Sequence, residues 1–163
     1  MSRLVLLAAL ALALSGIAAA SAGAATPFRG TFDSTDTFVD TEVCAAAPWG
    51  FDVHATEHEY GFYDVFFDGA GTFLKLVVHN NYDATISANG KTIVERDTWE
   101  ITIYPDHTVR FTGSSVHIQG PGGIVVRDAG QVVLNPVDGS VSYAHGPHEQ
   151  LIDNVSFCPA LAP

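Results

Sequence analysis

"LKLVVHNNYDATISANGKTIVERDTWEITIY", residues 74–104, decides the fold. Its even positions run Leu74, Leu76, Val78, Asn80, Tyr82, Ala84 and Ile86, and its odd positions run Lys75, Val77, His79, Asn81, Asp83, Thr85 and Ser87. This is the period-two alternation of a strand, either one long strand or two broken at His79, Asn80 and Asn81. Asn89-Gly90, a dipeptide suited to a tight hairpin turn, interrupts the pattern. It then resumes with Ile93, Trp99, Ile101 and Ile103 on one side and Thr92, Arg96, Thr98, Glu100 and Thr102 on the other. Enrichment in Thr, Ile and Val favours strand over helix. A long antiparallel hairpin is therefore expected at the centre of the chain.

Outward from that hairpin the same grammar repeats. Pro105-Asp106 ends the second strand, because proline has no N–H for a ladder. "QGPGG" (119–123) and "NPVDGS" (135–140) are turn clusters between the strand-like runs 109–118, 124–134 and 141–145. Further strands fit 37–43, 51–57, 62–67 and 151–157, and no helical stretch follows the N-terminal segment. About nine strands with short, turn-rich connections predict an all-β fold. An antiparallel barrel, lipocalin-like or allene-oxide-cyclase-like in shape, is the expectation, with a β-sandwich as the alternative. Closure would remove exposed sheet edges.

The N-terminus has a different character. Arg3 precedes an apolar run from Leu4 to Leu14, small residues follow, and Ala22-Gly23-Ala24 forms an A-x-A site. This predicts a secretory signal peptide over 1–25, cleaved near Ala24 or Ala25, and a single all-β domain over 26–163. The run is shorter than the ~20 residues that cross a bilayer, and no later segment is apolar enough to span. A secreted, soluble protein is expected. The formal net charge of −11 becomes −12 once Arg3 is removed (−11 − 1). With 7 Lys and Arg against 18 Asp and Glu, the chain lacks the clustered cations that nucleic acid or an anionic membrane requires. The two cysteines, Cys44 and Cys158, are expected to form a disulfide in an oxidising compartment.

Several stretches together, namely Cys44, "DHTVRFTG" (106–113), "GPGGIVVRDAGQVVLNPVDGSV" (120–141), "GPHE" (146–149) and "FCPAL" (157–161), carry a resemblance. The chain resembles a group of small, uncharacterised exported proteins of actinobacteria with one Cys near each end of an all-β domain. The shared motifs are turn and strand signatures, so the resemblance implies a fold and brings no catalytic residues.

The chemistry-bearing candidates are few. "HATEH" (54–58) fits the H-x-x-E-H pattern of zinc peptidases, which works on a helix, where both histidines and the glutamate meet the metal. Here aromatic and β-branched neighbours make a strand. Asp52, His54, Thr56 and His58 then share one face, while Glu57 points the other way with Val53 and Ala55. On a strand His54 and His58 stand about 13 Å apart, too far to share an ion. His145 and His148, around a Gly-Pro turn, are the other metal candidates. Asp97 and Asp128 fall on apolar faces and are the candidate interior acids, where desolvation would suit general acid or base work. No G-x-S-x-G elbow or P-loop lysine is present. The expected function is non-catalytic, binding a small apolar ligand in the barrel or presenting a surface to another extracellular protein. No cofactor is expected. The alternatives are a small barrel enzyme using an interior Asp, and a His-based metal-binding module.

Overall fold

The computed structural model describes residues 26–148 and 157–163. The expected leader over 1–25 and positions 151–156 of the expected strand over 151–157 lie outside the described residues. Among the described residues seven strands form: β1 (Phe28–Asp40), β2 (Val53–Phe67), β3 (Phe73–Ala88), β4 (Lys91–Ile103), β5 (Val109–Gly120), β6 (Gly123–Leu134) and β7 (Val141–His145). They make one sheet in the order β1-β2-β3-β4-β5-β6-β7, each antiparallel to its neighbours. The fold is all-β and antiparallel, and among the described residues no ladder joins β1 to β7.

The central hairpin follows from its residues. Asn89 and Gly90 have φ of 53° and 74°, the two positive values that a right-twisted two-residue turn requires. Around it Tyr82, Ala84 and Ile86 pair with Asp97, Glu95 and Ile93, all on the buried face. Among the described residues, 51–57 and 62–67, expected as two strands, are a single strand, β2. Gly61, which suggests a break in the sequence, lies inside that strand, and a Cβ there would sit 2.0 Å from the His79 carbonyl oxygen. The glycine permits a close strand approach instead of a turn. The first strand also begins earlier than expected, at Phe28, and one helical turn forms where none is expected. Cys158–Leu161 forms a one-turn helix, α1, with proline in its first turn, a position where the missing N–H costs nothing.

Gly61, Asn80, Trp99, Gly113 and Gly130 are successive partners across β2 to β6. This glycine-rich row separates two apolar clusters. One joins Ile86, Ile93, Ile118 and Val126 to Cys44 and Leu161. The other gathers Val65, Leu76 and Val78 with Phe32, Tyr63 and Ile101. The first is covered by the loop after β1 and by α1, which the Cys44–Cys158 disulfide joins (S–S 2.02 Å, sequence separation 114). The Asn89 side-chain amide donates to the Leu161 carbonyl at 3.0 Å, and the Lys91 ammonium donates to the Ala162 carbonyl, so the C-terminal turn is also tied to the β3–β4 hairpin. No helix among the described residues is long and apolar enough to cross a membrane.

Candidate functional site

The sequence-derived candidates fall on opposite faces of the sheet. In β2, Val53 and Ala55 are buried and Glu57 is half-buried, whereas His54 and Thr56 are exposed. The histidines of "HATEH" therefore face outward and Glu57 inward. His58 Nε2 lies 3.0 Å from Asp33 Oδ1, and its ring stacks on Tyr60 at 4.7 Å.

Asp97 and Asp128 point inward, at 3 % and 0 % exposure. Asp97 stands opposite Tyr82. Its Oδ1 accepts the His117 backbone N–H at 2.6 Å. That amide lies where the β4–β5 register slips, between the Glu95–Ile118 and Thr98–Ser114 pairs, next to a second slip against β6 between Ser114 and Val116. A bulge displaces backbone groups from the ladder, and a buried N–H needs a partner. Asp97 thus supports the irregular strand. Asp97→Ala is expected to cost about 2 kcal/mol, the scale of leaving a buried N–H without its partner. Urea denaturation measures it, and an unchanged midpoint would remove this role.

Asp128 stands opposite His148 in an isolated antiparallel bridge, beside the Ala129 N–H to Pro147 carbonyl bond of 2.8 Å. His148 is buried and His145 exposed. Their contact runs from the His148 Nε2–H to the His145 backbone carbonyl at 3.2 Å, and no second imidazole takes part. Among the described residues, no three His, Cys, Asp or Glu side chains are placed to hold a metal ion.

The open space lies on the outer face. Two shallow depressions, of about 240 and 460 Å³, share Asn81 and together run from β1 to β5. The smaller is bordered by His79, Asn81, Thr98, Glu100 and Thr112. The larger is bordered by Thr31, Asp33, Tyr60 and Phe62. Strand alternation sets these residues outward, and the register aligns them. Thr31, Phe62, His79, Glu100 and Thr112 are successive partners in one row, and Asp33, Tyr60, Asn81 and Thr98 in the next. Each row carries an imidazole–carboxylate contact, since His79 Nδ1 lies 3.4 Å from Glu100 Oε2 and His58 reaches Asp33 from the adjacent row. Neither depression is lined by Asp97 or Asp128.

One end of this groove is fixed by Arg29. Its Nε and Nη2 donate to the two Asp64 carboxylate oxygens at 2.8 and 2.6 Å, and the guanidinium lies 4.5 Å from the Phe62 ring centroid. The paired hydrogen bonds from Arg29 are the largest cause holding the Asp64 carboxyl below its ordinary range; burial opposes them, and the positive charge of Arg29 adds a smaller lowering. A depressed folded-state value contributes stability that is complete above the unfolded value and is lost as pH falls through the folded one. Carbon-detected titration is expected to find Asp64 below the ordinary aspartate range. Arg29→Gln should raise it, and an unmoved value in that variant would show that Arg29 is not the cause.

Periodicity alone finds the inward aspartates, because it reads one strand at a time. The groove escapes it, since its rows join residues as distant as Thr31 and Thr112. The available signal is the outward set Tyr60, Phe62, His79 and Asn81, aromatic and polar at once on strands whose other face is core. Comparison with protein-family models, with curated proteins and with solved structures finds no match for the chain.

Proposed function

We propose that this is an exported, non-catalytic binding protein, and that the outer groove across β1 to β5 is its binding surface. One observation carries the reading: two depressions joined at Asn81 are lined by aromatic, amide, hydroxyl and carboxylate groups in register. Binding sites combine apolar surface with a few placed polar groups, and this groove has both. The reading moves the ligand from an apolar interior to a polar exterior. The inner face is occupied by packed side chains, and Asp97 there serves the backbone.

Export is supported by the Cys44–Cys158 bridge, which suits an oxidising compartment, and by the leader-like sequence over 1–25. Closure of the sheet into a barrel belongs to the same proposal. The glycine row and the bulges of β5 are devices that curve a sheet. Slow amide exchange along the outer edge of β1 would support closure, and fast exchange there would oppose it.

The binding reading is tested by native mass spectrometry of the protein purified from its own secretion medium. A retained polar adduct, lost when Tyr60 and Asn81 are both replaced by alanine, is the expected result. An adduct that survives those replacements would place the binding surface elsewhere.

A further inference from the structure

Resting on the assignment of the outer groove as the binding surface, we propose that its ligand is a neutral saccharide chain laid across the strands. Three features of the groove converge on this class.

The first is spacing. Each of the two rows offers one side chain per strand, and neighbouring strands stand about 4.8 Å apart. That interval is close to the advance of one pyranose unit along a chain. From β1 to β5 the groove spans about 19 Å at that spacing, room for a short run of repeating units. An extended peptide crossing the strands advances about 3.3 Å per residue and falls out of step with such rows.

The second is the match of groups. Tyr60 is 36 % exposed, and His58 stacks on its ring at 4.7 Å, which holds the ring in place. The rest of the ring presents an apolar body with a polar tip, suited to the C–H face and the hydroxyl edge of a sugar. Around it Asp33 accepts hydrogen bonds, while Asn81, Thr98 and Thr112 both donate and accept. A sugar hydroxyl also does both.

The third is charge. The residues lining the two depressions include no Lys or Arg. Arg29, at the groove's end, is engaged by both oxygens of Asp64. A phosphate, sulfate or uronate would therefore meet Asp33 and Glu100 without a cation to receive it. Each of these carboxylates already has an imidazole nitrogen beside it, at 3.0 and 3.4 Å, as a partner within the groove.

The test is titration of the ¹⁵N-labelled protein with a β-1,4-glucose hexamer, an α-1,4-glucose hexamer and a β-1,4-N-acetylglucosamine hexamer, followed by amide shifts. At least one is expected to shift the amides of Tyr60, Asn81 and Thr98 saturably. Tyr60→Ala should weaken that affinity by about tenfold, as loss of a central aromatic contact does. Thr98→Val, at an exposed position that leaves the fold undisturbed, should weaken it less. Tyr143→Ala, on β7, should not change it. No shift from any of the three at millimolar concentration, or shifts indifferent to both groove variants, would overturn the proposal. A Lys-rich peptide is titrated in parallel. If it alone shifts the groove amides, the saccharide assignment fails and the groove remains a binding surface. If neither class shifts them, both fail together.

Discussion

Loss of the Cys44–Cys158 bridge is expected to lower the unfolding free energy by about 4 kcal/mol, the scale of the loop-closure entropy that a bridge of this span removes from the unfolded chain. The bridge has a sequence separation of 114 and encloses β2 to β7. Its local setting adds to the effect. Both cysteines and Leu161 are buried in the larger apolar cluster. The helix that carries Cys158 and Leu161 has four residues, far below the length at which a helix is stable alone. Without the bridge, α1 is held to the sheet by its packing and by the hydrogen bonds from Asn89 and Lys91. Urea denaturation of the Cys44→Ala/Cys158→Ala variant should show a midpoint lowered by about 2 M, if m is about 2 kcal/mol/M. Reductant should have the same effect on the native protein and none on the variant. Equal midpoints with and without the bridge would show that it adds nothing to global stability.

The second large effect is expected at Gly130. Its φ is +127°, and a Cβ would lie 2.0 Å from the His145 carbonyl oxygen. L side chains rarely adopt that backbone conformation, and holding one there costs on the order of 1–3 kcal/mol before any overlap. The overlapping atom is backbone of the neighbouring strand and cannot rotate away. Gly130→Ala is therefore expected to cost at least about 3 kcal/mol or to prevent accumulation of folded protein. Gly69→Ala, where nothing lies within 4 Å of the added Cβ, is the control and should be close to neutral. Thermal melts of the two variants make the comparison. A Gly130→Ala protein as stable as the Gly69→Ala protein would mean that the β6–β7 approach relaxes freely.

The central hairpin is legible in the sequence because its turn and its alternation agree. Asn89-Gly90 supplies the two positive φ values, and a one-residue slip would turn Tyr82, Ala84 and Ile86 outward. The boundaries of β2 are less legible. Glycine carries two meanings, a turn or a close approach, and at Gly61 only the position of the His79 carbonyl on the next strand decides between them. The face of Asp97 follows from periodicity, but its partner does not. The His117 N–H reaches it because β5 carries an irregularity that one strand's sequence does not announce. The strand character of "HATEH" is readable from its neighbours, and it sends the histidines outward, where His58 meets Asp33 across the β1–β2 pair. That contact depends on register between strands, which is why the groove appears only once the strands are assembled.

Among the described residues each strand pairs only with its neighbours in sequence, so this part of the sheet can be assembled in the order in which the chain is threaded out of a channel. Each strand can pair with the one before it as soon as it emerges, and such local contacts form early in folding. The covering loop is the exception. Cys44 leaves ahead of β2 and its sulfur partner follows β7, so this thiol waits through the emergence of the whole sheet. The bond is thereby placed last, as a latch on an already ordered structure.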